Sequence, residues 1–456
     1  MAAIRVEPDI AELRDQTVGP VFAAGDEGFE EEAACFNLAV QHRPDFVVGA
    51  TSAGDVQAAV RWAARHGARV SVQATGHGAT KPVEGGLLIN TARMQELHID
   101  PHSRLAVIDA GVKWRRVIDE AAPFELAPLN GSSSDVGAIG YTLGGGLAVL
   151  GRTFGFASDW VVAFEVVTAD GEIQRVTAED GSELFWALRG GKTNAAIVTS
   201  MTVELLPVSE FFGGAIYYPG EHADAILRAY AEWTKTLPDE MTTAIALMRL
   251  PNLPDVPEPL RERFTVNLRV AYVGDEASGV ELMRPMREIA PAIIDYVGIM
   301  PVTEMDRVHN DPEHPVPFDY SGDVIADLSD EAIDALVDVA GPDTDCPLLM
   351  IEIRHLGGAM LHGACEDAVG LRTDGFVVFL LGALMPPIAE LVPGAIAGVR
   401  AALAPFTTGG TFVNLHGPVA SDDDRRRPWS ADVAGRLETL KDRLDPDGRF
   451  AFGHWS

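Results

Sequence analysis

The first 200 residues alternate between helical and extended hydrophobic patterns. Apolar residues from Asp55 to His66 recur every three to four positions, which predicts an amphipathic helix that ends at Gly67. The β-branched run from Val161 to Thr168 predicts a strand that leads into a hairpin-type turn. Further strands are expected at 70–72, 87–89, 105–108 and 197–205, and helices at 112–122 and 184–188. This alternation predicts α/β or α+β structure.

The character of the chain changes after Pro207. Glycine motifs thin out, and prolines cluster at 251–259 and 312–317, where we expect rigid loops that shape an entrance. The segment from Phe264 to Val273 alternates like an exposed strand, with one polar face formed by Thr265, Asn267 and Arg269. Strands are also expected at 348–355 and 376–381, and helices at 223–237, 330–339 and 395–403. The change predicts a second domain over about 208–410.

The last stretch returns to short elements. A strand is expected at 411–415, then a charged run at 422–427, and then a helix at 431–443. The apolar stretch 375–389 is shorter than the roughly 18 residues that a membrane span needs. It is also interrupted by Pro386 and Pro387, which favours a buried strand.

Composition narrows the range of partners. The 456 residues carry a formal net charge of −32, with 35 basic and 67 acidic side chains. This balance argues against nucleic acid, which needs clustered lysine and arginine, and against an anionic membrane surface. The length suits two or three domains.

The three cysteines, Cys35, Cys346 and Cys365, lie far apart and match neither a disulfide framework nor a zinc site. We therefore expect a reducing compartment, and the cytoplasm as the location. The first 20 residues contain no apolar core of a signal peptide. His98, His102, His309 and His314 do not have the spacing of metal ligands, and we predict that they are surface residues. No metal is expected.

Three glycine-rich segments could carry chemistry. In the first, residues 71–79, a strand runs into a loop of small residues with His77 at its tip. The second, residues 131–146, has six glycines interleaved with apolar side chains, which suits an ordered backbone against a flat ligand. The third spans residues 189–199. Each alone is a weak signal, and none is a dinucleotide fingerprint or a P-loop.

In this order and spacing, the three segments resemble the flavin domain of the vanillyl-alcohol-oxidase type of FAD enzyme, which has a PCMH-type FAD-binding domain. The nearest branch is the berberine-bridge-enzyme-like oxidoreductases. The resemblance covers nearly the whole chain, since the 354–359 strand and the 412–415 and 444–450 segments also match the family pattern.

The resemblance implies an α+β fold of three parts. They are an FAD-binding domain at 1–207 with its PCMH-type core at about 40–207, a substrate domain at 208–410 with an antiparallel sheet flanked by helices, and a berberine-bridge-like segment at 411–456 that returns to the FAD domain. The implied cofactor contacts are Gln73, Ala74, Thr75, Gly76, His77, Gly78, Ala79, Ser133, Val136, Gly137, Gly140, Tyr141, Gly144, Gly145, Asn194, Ile197, Val198 and Asn414.

His77 matches the family histidine that bonds covalently to the flavin 8α-methyl group. Many relatives form a second link through a cysteine, but Ser133 stands at that position here, so we predict attachment through His77 alone. The chain departs from the family pattern at Gln73 and at Lys192-Thr193, where arginine and glycines are usual.

The family chemistry is transfer of a hydride from a substrate C–H to the flavin while a base takes a proton from the adjoining O–H or N–H. The residues that we predict to be catalytic are Tyr141, Tyr320, Glu352 and Asn414; Arg354 and His416 are further candidates. Phe412 replaces the usual tyrosine. Glu352 and Arg354 share one strand face, so they could instead pair with each other.

The resemblance therefore implies an oxidoreductase that acts on a small molecule, an alcohol, sugar or amine, in secondary metabolism. A small side chain at Ala138 leaves room for O₂ and favours an oxidase. The alternatives are a dehydrogenase with another acceptor, a flavoprotein that catalyses a non-redox cyclisation, or a binding protein that keeps the fold. The oligomeric state is left open.

Overall fold

A computed structural model describes residues 10–363 and 366–455. Residues 1–9, where no signal peptide is expected, lie outside the described residues. Cys365 also lies outside them. No helix within the described ranges is long and apolar enough to cross a membrane.

The first layer is a four-stranded sheet with the order β1-β2-β4-β3. Strands β2 and β3 both run parallel to β4, and β1 pairs antiparallel with β2. The predicted helix forms as α3, whose start is capped by the Ser52 side chain and whose end is Gly67 at φ 64°. The elements are α1 (Ile10–Gln16), β1 (Val21–Ala23), α2 (Phe29–Ala33), β2 (Phe46–Gly49), α3 (Ala53–His66), β3 (Val70–Gln73) and β4 (Leu87–Asn90).

The second layer is a five-stranded antiparallel sheet with the order β5-β6-β9-β7-β8. The expected strand over 161–168 forms as β7, and its hairpin partner is β8. The elements are β5 (Leu97–Asp100), β6 (Leu105–Asp109), α4 (Trp114–Ala121), α5 (Ala138–Thr142), α6 (Gly151–Phe154), β7 (Val161–Thr168), β8 (Ile173–Val176), α7 (Ser182–Leu188) and β9 (Ala196–Glu204).

An eight-stranded antiparallel sheet follows, with the order β13-β10-β12-β11-β16-β17-β15 and with β14 beside β10. The helices pack on one face of this sheet around a separate core. The elements are β10 (Glu210–Pro219), α8 (Ala223–Thr234), β11 (Met241–Arg249), β12 (Phe264–Tyr272), α9 (Glu276–Ile289), β13 (Ile294–Asp295), β14 (Gly298–Pro301), β15 (Phe318–Ile325), α10 (Asp330–Ala340), β16 (Met350–His355), β17 (Phe376–Ala383) and α11 (Val392–Leu403).

The chain end packs back on the first layer. Helices α12 (Asp422–Arg426) and α13 (Ala431–Leu444) precede Phe450, which lies in the same core as α3. The backbone of Val70 in β3 bonds to Arg449 and to Ala451. The α+β fold with an antiparallel sheet flanked by helices is thereby confirmed. The residue boundaries of the three domains remain a prediction.

Two expectations about strands are wrong. Residues 411–415 form a turn, in which the Leu415 amide donates to the Phe412 carbonyl. Strand β12 is central in its sheet, not exposed, and its polar face is buried, with Arg269 only 1% exposed. Alternation alone cannot separate a solvated polar face from a buried polar cluster.

Candidate active site

A cavity of about 1990 Å³ lies between the first and second glycine-rich segments, the eight-stranded sheet and the chain end. Ligand pockets commonly measure roughly 300–1,000 Å³, so this one has room for a large cofactor and a second molecule. Pro251, Pro312 and Pro317, from the two proline clusters, line it, and the entrance that these loops are expected to shape stays a prediction.

His77 stands on the cavity wall in the loop that follows β3. The loop bends tightly at Gly76, with φ 71°, where any side chain would overlap Cys35. The His77 ring stacks on Phe36 at 3.7 Å, and neither of its buried ring nitrogens has a hydrogen-bond partner among the described residues. Burial lowers the pKa of His77 to about 4, so the imidazole is neutral at physiological pH.

Cys35 lies directly against this loop, although it is 42 positions before His77 in the sequence. Its thiol lies 3.3 Å from the carbonyl oxygens of Asn37 and Val40, and burial raises its pKa. A protonated thiol turned towards backbone carbonyls is a poor nucleophile. Ser133 lies on the cavity wall.

The glycines of the 131–146 segment serve two purposes. Side chains at Gly131 and Gly146 would clash with the Tyr141 ring, and one at Gly144 would overlap Asn414. Gly140 is different, because it lines the cavity and a Cβ there would meet nothing within 4 Å. Part of the glycine pattern therefore accommodates the protein's own side chains, and part leaves the cavity open.

Asn414 joins the second and third segments. Its Nδ2 donates to the Tyr141 carbonyl at 2.8 Å, and its Oδ1 accepts from Lys192 Nζ at 2.5 Å. The Tyr141 hydroxyl is buried without a partner among the described residues, and burial raises its pKa.

Lys192 occupies a backbone position that favours glycine, with φ 44°. Its ammonium lies beside the His77 loop, 3.7 Å from the place where a Cβ on Gly78 would stand. Burial lowers the pKa of Lys192 to about 8. A strained, half-buried lysine at a cavity is a functional candidate, although in the sequence it is only a departure from the family pattern.

Most of the predicted cofactor contacts reach the cavity. Fifteen of them line it: Gln73, Ala74, Thr75, Gly76, His77, Gly78, Ala79, Ser133, Val136, Gly137, Gly140, Tyr141, Gly144, Asn194 and Asn414. Three do not: Gly145, Ile197 and Val198. Ile197 and Val198 lie in β9 within the hydrophobic core, 1% and 6% exposed. The Asn194 side chain donates to the Phe450 carbonyl at 3.1 Å, and this hydrogen bond connects the third glycine-rich segment to the chain end.

The large sheet places a buried ionic cluster beside the cavity. Glu352 is 0% exposed and pairs with both Arg354 and Arg269, and His309 Nδ1 lies 3.1 Å from its Oε1. Burial would raise the pKa of Glu352, but the charges of Arg354 and Arg269 and the hydrogen bond from His309 outweigh it and hold that pKa well below its usual value. The carboxylate stays ionised.

This cluster corrects one expectation and confirms another. His309 is 6% exposed, so its prediction as a surface residue is wrong. Glu352 and Arg354 do pair, as their shared strand face suggested. Arg269 and His309 were missed because only the strand order β12-β11-β16 and the fold of the 302–310 segment bring them to Glu352.

Tyr320 and Ala138 fall in contrasting places. Tyr320 lines the cavity, and burial with the nearby charge of Asp319 raises its pKa. Ala138 is fully buried in the core and is not part of the cavity wall, so its small size gives no support to O₂ access.

The site fits FAD. The two unpartnered ring nitrogens of His77, the open backbone at Gly140 and the size of the cavity all match a large flat ligand held by the loops. The residues that would hold it are the 73–79 loop, Gly137, Gly140 and Asn194.

Comparison with known proteins agrees with this assignment. Residues 44–177 match the family described as FAD binding domain. An FAD-linked oxidoreductase from Dictyostelium discoideum is 26% identical over 365 residues, which are 78% of this chain and 77% of that protein.

Two solved structures share the fold. 6-Hydroxy-D-nicotine oxidase from Arthrobacter nicotinovorans has a TM-score of 0.83 at 23% identity, over 95% of this chain and 96% of that one. Glucooligosaccharide oxidase from Acremonium strictum, described with a 6-S-cysteinyl, 8α-N1-histidyl FAD, has a TM-score of 0.83 at 20% identity over 98% of both chains. The chain therefore contains an FAD binding domain, is similar to FAD-linked oxidoreductases, and shares the fold of these two oxidases.

Proposed function

We propose that this chain is an FAD-dependent oxidase that removes a hydride from an alcohol, sugar or amine carbon, with O₂ as the electron acceptor. Bound FAD supplies the redox chemistry: it accepts a hydride at N5 and passes the electrons on. The proposal is supported by the cavity that joins the His77 loop to the large sheet, and by solved structures of the same fold that are named as oxidases.

We further propose that FAD is attached covalently through His77 alone. The observation that carries this is a neutral imidazole with both nitrogens unpartnered on the cavity wall. An imidazole needs a free lone pair to act as a nucleophile, and neutrality provides one at physiological pH. The protonated Cys35 thiol and the Ser133 hydroxyl offer no second link.

Precipitation of the purified holoprotein with acid tests the attachment. We expect the yellow colour to stay with the precipitate, and to move into the supernatant for His77→Ala. Colour released from the unmodified protein would contradict a covalent link. His42→Ala, at a half-buried histidine also on the cavity wall, is the matched control and should keep its colour bound.

The proton of the substrate O–H or N–H needs an acceptor within hydrogen-bond reach. Tyr141 and Tyr320 have raised pKa values, and Glu352 is a weak base held by its two arginines. Lys192 Nζ, with a pKa of about 8 and a hydrogen bond to Asn414, is better matched to a proton acceptor near neutral pH. We assign it that role, with Asn414 as the residue that positions it and Glu352 as a positioning residue for Arg354.

The choice of acceptor is tested separately. The flavin is reduced by light without oxygen, air is admitted, and the return of the oxidised spectrum is timed. Re-oxidation within seconds supports an oxidase. Re-oxidation over minutes, with rapid turnover on a quinone or dye, would instead establish a dehydrogenase.

A further inference from the structure

Arg354 lies near the end of β16, on the wall of the cavity. Its side chain is 15% exposed, and its Nε donates to Glu352. Its Nη2 lies 3.5 Å from Ser132 Oγ, which is at the outer limit of a hydrogen bond. Its Nη1 has no hydrogen-bond partner among the described residues, so this guanidinium keeps donors for a molecule in the cavity.

The cluster around Arg354 carries one more positive charge than negative. Glu352 is the single carboxylate in contact with both Arg269 and Arg354, and burial lowers the pKa of His309, which favours its neutral form. Arg269 uses its donors on Asn267, His309 and Glu352. Asp311 on the cavity wall also acts on Arg269. Of the two arginines, Arg354 is the one that keeps an Nη1 without a partner among the described residues, so the positive charge of the cluster is available to the cavity there.

Three other arginines on the cavity wall already bond to carboxylates or to backbone carbonyls. Arg115 pairs with Asp306, and Arg307 pairs with Glu304. Arg249 donates to the carbonyls of Ala340 and Gly341. Arg354 differs from these three because its one carboxylate partner is shared with a second arginine.

We propose that Arg354 binds a carboxylate of the substrate, so that the substrates of this oxidoreductase are alcohols or amines that bear a carboxylate. With Nε on Glu352, the Nη1–Nη2 edge of the guanidinium is the one left to match a carboxylate in geometry, and the pairing is strengthened by the low dielectric of the cavity. The inference rests on the proposed function, because it assigns the substrate class of the same site.

The position of Arg354 agrees with this role. Its Ser132 neighbour belongs to the 131–146 segment that lines the predicted flavin site. Its charge also acts on the Tyr141 phenol, where it partly offsets the effect of burial on the pKa. A carboxylate on Arg354 would therefore be held beside the Tyr141 and Asn414 end of the cavity, where the reacting carbon has to lie.

A static titration of the flavin-loaded protein tests the proposal without turnover. Benzoate and its neutral counterpart benzamide are added, and the perturbation of the flavin absorbance gives each dissociation constant. We expect benzoate to bind at least about tenfold more tightly than benzamide, which corresponds to about 1.4 kcal/mol. Equal binding, or no binding of either at millimolar concentration, would overturn the proposal.

Variants identify the residue. Arg354→Gln should lose the preference for benzoate and keep its flavin, and Arg354→Lys, which keeps the charge without the planar fork, should retain a reduced preference. Arg307→Gln, on the same wall but paired with Glu304, should behave as the unmodified protein does. A preference for benzoate that survives in Arg354→Gln contradicts the assignment. Loss of flavin from both Arg354 variants also contradicts it, because that result would indicate that Arg354 binds a phosphate of the cofactor.

The titration tests the carboxylate assignment and the re-oxidation experiment tests the oxidase proposal, so either proposal can fail without the other. If re-oxidation by air is slow, the oxidase proposal fails while the benzoate titration can still be interpreted. If benzoate shows no preference while re-oxidation is fast, only the carboxylate assignment fails.

Discussion

Burial lowers the pKa of two side chains on the cavity wall, His77 and Lys192. Burial disfavours the charged form of each, which lowers the pKa of His77 to about 4 and that of Lys192 to about 8. The result is a neutral imidazole, which the proposed covalent link needs, and an amine that titrates near neutral pH, which the proposed proton acceptor needs.

Lys192 gives a prediction for the pH dependence of flavin reduction. If its neutral amine accepts the substrate proton, the rate constant of anaerobic flavin reduction should rise with pH, with a midpoint near 8. Stopped-flow measurement should find this step missing in Lys192→Met, with a much lower rate. Lys235→Met, at an exposed lysine paired with Glu232, should leave the profile unchanged. A midpoint near 8 that persists in Lys192→Met would exclude the role.

The same residue gives a prediction for stability. Its pKa falls from a model-peptide value of 10.5 to about 8 on folding, so between these values the unfolded chain binds more protons than the folded one. The free energy of unfolding of the apoprotein should therefore rise with pH over this interval, by at most about 3 kcal/mol. Urea unfolding of Lys192→Met should show a smaller rise. Equal pH slopes in both proteins would contradict the burial of the amine.

At the scale of elements, the strand order of the large sheet and the short helix α5 decide what the cavity contains. Strands β12 and β16 both flank β11, and this arrangement brings Arg269 against Glu352 across the intervening strand. Helix α5 turns the 131–146 segment so that Gly140 faces the cavity while Ala138 and Ile139 enter the core.

The buried cluster on these strands predicts a large stability effect. Glu352→Gln removes the carboxylate that compensates Arg269 and Arg354, so the free energy of unfolding should fall by about 3–5 kcal/mol. Glu304→Gln, at a surface pair with Arg307, should cost less than about 1 kcal/mol. Urea unfolding compares the two. A Glu352→Gln variant that is inactive and fully stable would return Glu352 to the role of catalytic base.

A substitution in helix α5 should affect FAD binding without affecting the stability of the fold. Gly140→Leu places a side chain in open cavity space at a helical position, so it should prevent FAD binding without loss of stability. Gly435→Leu, in helix α13 with nothing within 4 Å of its Cβ position, is the matched control and should bind FAD normally. Flavin content and thermal unfolding of the apoproteins check both. A Gly140→Leu protein with full flavin content would show that the cofactor lies elsewhere.

At the scale of the whole molecule, the net charge of −32 opposes the binding of an anionic cofactor. Two positively charged side chains on the cavity wall, Lys192 and Arg354, offset this locally. The chain end also joins distant parts: Lys441 Nζ donates to the carbonyls of Asn194 and Phe450, next to the predicted cofactor site.

The surplus of acidic groups predicts that salt stabilises the protein. Between about 0.01 M and about 0.15 M salt the Debye length falls from about 30 Å to about 8 Å, which screens the repulsion among surface carboxylates. The Tm at pH 7.5 should rise with sodium chloride. It should be nearly independent of salt near the isoelectric point of about 4.6. A Tm that falls with salt at pH 7.5 would show that attractive ion pairs outweigh the repulsion.

The sequence by itself determined most of the elements, the FAD binding domain and the segments that line the cavity. Helix α3 and strand β7 could be read from hydrophobic period and flanking glycine, because these signals are local. The His77 loop could be read because glycines and a histidine after a strand form a short continuous motif.

Only the tertiary structure decided which distant side chains meet. It placed Cys35 against the His77 loop, buried the polar face of β12, and brought His309, Arg269 and Arg354 to a single carboxylate. It also showed that Gly131, Gly144 and Gly146 make room for Tyr141 and Asn414, while Gly140 opens onto the cavity. Such contacts depend on strand order and burial, which join residues far apart in the chain, and periodicity carries no information about either.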